Sequence, residues 1–247
     1  MAQASTDLQM LNREGRPVLA YRKHEGGTPT LVFLPGYASD MEGAKAQAVH
    51  AFAIARGFSI LRFDYSGTGS SEGAFEDGTL TGWLDESLEM IERQTSGPLI
   101  LLGSSMGGWL ALLIALRLPE RVRGIVGIAA APDFTDWGFG PAERAQIEIS
   151  GTLDEPPDGR IFTHAFWQSG QQLLLLQGEI DCGCPVRLVH GEADADVPIE
   201  VATRLMGRLR SADVQLTIVK GGGHRLSEPH EIRTILRALD DLLESSC

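Results

Sequence analysis

Leu99-Ile100-Leu101-Leu102 runs directly into Gly103-Ser104-Ser105-Met106-Gly107-Gly108, and a second apolar run, Trp109 to Leu118, follows. The first four residues, bounded by Pro98 and Gly103, suit a buried strand, and Met106 to Leu118 has helical length. A serine between them stands on the strand, tight turn and helix that a nucleophile elbow requires. Glycines at 103 and 107, with Gly108 next, remove Cβ atoms where the two backbones come closest. A serine hydroxyl attacks poorly at neutral pH until a neighbouring base takes its proton, and that base must be oriented by a carboxylate. Ser105 therefore predicts a histidine and an acid elsewhere in the chain.

The string Gly-x-Ser-x-Gly occurs once more, as Gly69-Ser70-Ser71-Glu72-Gly73. It stands in a polar loop after Arg62-Phe63-Asp64-Tyr65, with Ala-Phe-Glu-Asp-Gly behind it, so it reads as a flexible strand-to-helix connection and Ser71 as a decoy.

Apolar runs rich in Val, Ile and Leu recur on both sides of the elbow: Pro17 to Lys23, Thr30 to Leu34, Ser59 to Phe63, Pro98 to Leu102, Arg123 to Ala129, Pro185 to His190 and Val214 to Lys220. Turn signals bound them, which predicts strands. Segments of helical period lie between them at Met41 to Arg56, Leu80 to Gln94, Met106 to Leu118, Ile199 to Leu209 and Glu228 to Leu243. The alternation predicts an α/β fold, a mainly parallel sheet with helices on both faces and the ligand site at the carboxyl ends of the strands. A chain of 247 residues suits one such domain, residues 1–247. One interval, about 133–177, breaks the rhythm with no clear strand. It holds Trp137, Phe139, Phe162, Phe166 and Trp167, and leaves from a strand end. It reads as a small helical cap, with Trp137, Phe139, Phe166 and Trp167 as candidate linings of an apolar pocket.

Position sorts the six histidines. His24 and His50 precede the elbow, His164 lies in the cap interval, His190 ends a strand and His230 lies within the last helix. His224 alone sits in a glycine-rich turn, Gly221-Gly222-Gly223-His224, between the last strand and the last helix. It is the expected base, and activity should rise with pH as its imidazole loses a proton. For the acid, strand Val186 to His190 runs into Gly191-Glu192-Ala193-Asp194-Ala195-Asp196, and Asp194 is the choice among its three carboxylates. A tetrahedral intermediate also needs two donors aimed at its oxygen. The backbone N–H of Met106 supplies one, and the N–H of Tyr37, in the turn Pro35-Gly36-Tyr37, is assigned as the other.

Composition excludes several classes. Lys plus Arg is 21 against 33 Asp plus Glu, a net charge of -12 that repels nucleic acid, anionic lipid and long phosphate tails. The first twenty residues lack an apolar signal-peptide core and the greasiest stretch is interrupted by Arg117, so no membrane span is expected and the location reads as cytoplasmic. Cys182 and Cys184 sit one residue apart, where a mutual bridge would be strained, and against a redox switch or half a metal site stands the absence of a second Cys or His cluster at ligand spacing. They read as loop thiols, and neither metal nor cofactor is expected.

Five segments in order now resemble one family: Phe33-Leu34-Pro35-Gly36-Tyr37, Arg62 to Ser71, Gly103 to Gly108, His190 to Pro198 and Gly223-His224-Arg225-Leu226-Ser227. Together they resemble the α/β-hydrolase superfamily nearly end to end, in its Ser-acid-His order. The form of the first two segments and of His224 to Ser227 looks most like the branch of palmitoyl-protein thioesterases and acyl-glucuronide esterases. The first loop departs from the family, reading Pro-Gly-Tyr where many members have His-Gly. The resemblance implies a cofactor-free serine esterase or thioesterase acting on a small-molecule acyl ester or thioester. Two alternatives stay open: a C–C bond or lactone hydrolase on the same triad, and a low-turnover ligand-binding receptor of the same fold.

Overall fold

Alternation along each strand divides the apolar residues between two cores. In a computed structural model that describes residues 7–155 and 160–245, Val32 and Leu34 face one core and Leu31 and Phe33 the other. Leu99 and Leu101 likewise part from Ile100 and Leu102, as the twofold period of a strand requires. Such a sheet must be covered on both sides, and the intervening helices do so.

The chain begins with strands β1 (Gln9–Arg13), β2 (Arg16–His24) and β3 (Gly27–Leu34), followed by α1 (Ala44–Arg56), β4 (Phe58–Phe63) and α2 (Leu80–Gln94). The elbow joins β5 (Leu99–Ser104) to α3 (Met106–Arg117), and β6 (Val122–Ile128) follows. An excursion then carries α4 (Phe134–Trp137), α5 (Pro141–Ser150), β7 (Thr152–Glu155), β8 (Arg160–Thr163) and α6 (His164–Gln171). The chain returns as β9 (Val186–Gly191), α7 (Ile199–Arg208), β10 (Val214–Val219) and α8 (Pro229–Ser245).

The main sheet has the order β1-β2-β4-β3-β5-β6-β9-β10. From β4 to β10 neighbouring strands are parallel, and β2 and β1 add an antiparallel edge. Helices α1 and α8 bury Val49, Ala53, Ile235 and Leu239 against one face, and α2 and α3 bury Trp83, Met90, Trp109 and Leu110 against the other. Trp109 is therefore core, fully buried with its indole N–H donating to the Leu173 carbonyl at 3.1 Å.

Two features differ from the sequence expectations. Edge strand β1 was not expected, because Leu8 and Met10 are exposed and only Leu11 and Arg13 turn inward, so its apolar residues mark no buried run. The excursion is not wholly helical: β7 and β8 form an antiparallel ladder with Leu153 opposite Phe162. Each strand is four residues long, too short for periodicity to register. Phe139, Ile147, Leu153, Phe162 and Phe166 of the excursion join the core that holds α2 and α3.

Candidate active site

Close backbone contact explains why the elbow is built of glycine. A Cβ on Gly103 would lie 2.1 Å from the Gly107 carbonyl oxygen, and one on Gly107 would lie 2.0 Å from that of Leu34. Ser105 itself adopts φ +54°, a conformation that costs a non-glycine residue of the order of 1–3 kcal/mol. The turn is held from both sides. The Ser105 N–H donates to Ile128 O at 2.9 Å, and its carbonyl accepts from Gly108 at 2.9 Å and from Ala131 at 3.1 Å.

The structure brings three of the expected residues together. Ser105 Oγ lies 3.1 Å from His224 Nε2, and His224 Nδ1 lies 2.9 Å from Asp194 Oδ2. Asp194 is held rigidly, since its other oxygen accepts from the N–H groups of Asp196 at 3.0 Å and Val197 at 2.9 Å. Its side chain is 1% exposed. Burial works against its charge, but the bonds from His224 and Val197 outweigh that and hold its carboxyl below the usual aspartate range. Of the other two carboxylates, Glu192 accepts from the Gly221 N–H at 3.0 Å, so it docks the glycine turn against the acid loop. Gly191 permits the same docking, for a Cβ there would meet the Gly222 carbonyl at 2.2 Å. Asp196 contributes its backbone N–H to Asp194.

Two further residues frame the histidine, and sequence patterning gave no sign of either role. His190 is buried with Nε2 2.9 Å from Val197 O and 3.6 Å from Asp194 Oδ2, beneath the acid. Lys45 of α1 donates through Nζ to the carbonyl of Arg225, the residue after His224. Burial pulls the Lys45 ammonium down to about 8, Arg225 adding to this and Glu231 and Asp194 opposing it.

The turn carrying the second expected donor abuts the elbow. A Cβ on Gly36 would lie 3.2 Å from both Ser105 Cβ and Ser104 O. Met106 is the first residue of α3, so its N–H has no acceptor within the helix. The Tyr37 side chain leads away to the excursion: its hydroxyl donates to Ile161 O at 2.5 Å, and its ring stacks on Phe162 at 4.6 Å and 17°.

Tyr37 is the hub of an aromatic cluster with Phe75, Trp83, Phe134 and Phe166. Of the four expected pocket residues, Phe166 and Phe139 join this cluster, the latter through Phe134 and Phe162. Trp137 and Trp167 pack, partly buried, against the same core. Their indole N–H groups donate to Pro132 O at 2.7 Å and Thr135 O at 3.0 Å. Asp133 was also missed. It is buried at the start of the excursion and its carboxylate accepts from the N–H groups of Leu175 and Leu176 at the far end, the shortest at 2.7 Å. The two ends of the excursion are thereby tied to one side chain.

Residues 29–148 match the family model described as alpha/beta hydrolase fold. The chain is 37% identical to human palmitoyl-protein thioesterase ABHD10, mitochondrial, covering 97% of this chain and 81% of that one. It is 26% identical to the pimeloyl acyl-carrier protein methyl ester esterase of Nitrosomonas europaea, over 87% of this chain and 96% of the other. Among solved structures, mouse alpha/beta hydrolase domain-containing protein 10 superposes with a TM-score of 0.92 at 36% identity, covering 98% of this chain and all of that one. The curated mammalian thioesterases overturn the cytoplasmic expectation, because they match nearly the whole chain and are named as mitochondrial proteins. Hydropathy tests for secretory cores and membrane spans, whereas organelle-targeting segments are amphipathic and escape it. With 37% identity along nearly its whole length, the chain belongs to the α/β-hydrolase family, on a branch shared with palmitoyl-protein thioesterases.

Proposed function

We propose that this enzyme hydrolyses carboxylic esters or thioesters of an apolar acyl group through an acyl-enzyme on Ser105. The observation that carries the proposal is the unbroken chain from Ser105 Oγ through His224 to Asp194, with Ser105 raised on a strained turn. His224 Nε2 takes the hydroxyl proton as Oγ attacks the acyl carbon, then gives it to the leaving alcohol or thiol. Asp194 fixes the Nδ1–H tautomer and stabilises the imidazolium that forms. Water, deprotonated by the same imidazole, releases the acid and restores Ser105. The N–H groups of Met106 and Tyr37 receive the oxyanion, a role in which one donor is worth about 3 kcal/mol.

Residues 1–247 act as one domain in this proposal, with the excursion at about 133–177 as a cap over the acyl group. Phe139 and Phe166 give the cap its apolar inner surface, while Trp137 and Trp167 hold its backbone in place. The named activity of the mammalian relatives favours a thioester of a long acyl chain as the preferred substrate.

Hydrolysis of matched p-nitrophenyl ester and acyl-thioester series, from short to long chains, tests this. Turnover that rises with chain length and vanishes in Ser105→Ala is expected. A wild-type protein inert across both series, or a Ser105→Ala variant that retains turnover, overturns it.

A further inference from the structure

Cys182 and Cys184 take no part in the proposed hydrolysis, yet the fold brings their sulfur atoms to 3.4 Å. We infer that Cys182-Gly183-Cys184 is a redox-active dithiol, a modification site oxidised by hydrogen peroxide to an intramolecular disulfide. Three observations converge on it.

The first is contact between the thiols. Cys182 is buried and Cys184 partly buried, and a hydrogen bond that either thiol can donate joins their sulfur atoms. That hydrogen bond holds the Cys182 thiol below its ordinary range against the opposing effect of burial, and raises Cys184. The 3.4 Å contact places either sulfur where it can resolve a sulfenic acid on the other, and the lowered thiol marks Cys182 as the first to react.

The second is access. A cavity of about 350 Å³ is lined by Cys182, Gly183 and Cys184 together with Ala115, Pro119 and Arg123. It opens at the amino end of β9, whereas Asp194 follows the carboxyl end of the same strand. Six residues of strand separate them by on the order of 20 Å, so the cavity is distinct from the hydrolytic site.

The third is room to close the ring. A Cβ on Gly183 would meet nothing within 4 Å, so packing does not require glycine there. Glycine's backbone freedom is instead available for the sulfurs to close to the bonding distance of about 2.05 Å. The segment is fixed on its amino side, where Ile180 donates to Arg208 O at 2.7 Å and accepts from Arg210 at 3.0 Å. Closure is thereby confined to the tripeptide.

The chemistry balances in two steps. The Cys182 thiolate attacks one peroxide oxygen, the O–O bond breaks, and protonation of the departing hydroxide gives a sulfenic acid and one water. The Cys184 sulfur then displaces the sulfenic oxygen, its own proton leaving with that oxygen as the second water. Two thiols and one hydrogen peroxide become one disulfide and two waters, and an external dithiol reverses the change.

The test uses the full chain carrying Cys247→Ala, which removes the third cysteine. With equimolar hydrogen peroxide, the peptide holding both cysteines should lose two hydrogens in mass and regain them with dithiothreitol. Ester hydrolysis should remain unchanged. In Cys184→Ser, dimedone should trap a sulfenic acid on Cys182, and Cys184 in the Cys182→Ser variant should react at least tenfold more slowly. The inference fails if the mass loss is absent or lies between two chains, or if Cys184 reacts as fast alone as Cys182 does. Because hydrolysis is read separately, failure of the acyl-enzyme proposal leaves this outcome intact.

Discussion

The two Gly-x-Ser-x-Gly strings have the same letters and opposite fates. At 103–107 the glycines admit backbone, and the serine hydroxyl is presented to His224. At 69–73 the first glycine admits a side chain, since a Cβ on Gly69 would lie 2.1 Å from an Asp64 carboxylate oxygen. There the serine hydroxyl is spent within the scaffold. Ser71 Oγ donates to Asp64 O at 2.7 Å and accepts from the Ala20 N–H at 2.8 Å, joining the loop to β2. The loop read as flexible from its polarity is therefore tied down, and Ser71 holds it. Close approach is what glycine supplies in both places, and what stands opposite decides whether the hydroxyl is left for chemistry.

The largest effect should follow from Ser105→Ala. Loss of a triad nucleophile removes about 10⁶-fold of turnover, while the fold keeps its hydrogen bonds to the Ser105 backbone. Steady-state hydrolysis against an unchanged melting temperature checks it. A large fall in stability would mean that Ser105 resembles Ser71 after all. Asp194→Asn should come next, with turnover down by about 10³- to 10⁴-fold as the imidazole loses its orienting charge. This substitution also has a pH signature. The folded carboxyl lies below its usual range, so its contribution to stability is present above the unfolded aspartate pKa, about 3.9, and is lost as pH falls through the lower folded value. Acid titrations followed by circular dichroism should therefore show a shallower loss of stability in Asp194→Asn than in wild type.

Ser71→Ala should give the converse result. It strands the buried-side Ala20 N–H and the Asp64 carbonyl, at a cost of about 1–3 kcal/mol. Denaturant midpoints should fall accordingly while kcat/KM on the best substrate stays within twofold. A Ser71→Ala variant that melts like wild type and loses hydrolysis would reverse the assignment of the two strings.

Much of this contrast was legible in the sequence, and the reasons are local. The apolar run at Leu99 to Leu102 marked the elbow because a central parallel strand is buried on both faces. His224 was recognisable by its glycine turn, and Asp194 by its place after a strand end. What escaped detection depends on partners distant in the chain. Asp133 reaches residues 42 and 43 positions away, and Tyr37 reaches Ile161 at 124 positions. No spacing rule connects such pairs. Edge strand β1 and the hairpin of β7 and β8 escaped for another reason: each is short and half-solvated, so its apolar residues do not form a run.

The smallest effect sharpens the comparison most finely, at the residue after each serine. Glu72 and Met106 occupy the same place in their strings. The Glu72 N–H donates to Val18 O at 2.9 Å, and its carboxylate accepts from the Val18 N–H at 3.0 Å, so both groups serve the sheet edge. Met106 is buried at the start of α3, where a helix leaves its first N–H groups without internal acceptors. One backbone donor is consumed, and the proposed mechanism assigns the other to an oxyanion. Glu72→Ala removes only an exposed bond, so it should change stability by no more than about 0.5 kcal/mol and leave kcat/KM unaltered. A measurable loss of turnover in that variant would show that the 69–73 loop communicates with the elbow, and the two strings would then have to be treated as one functional unit.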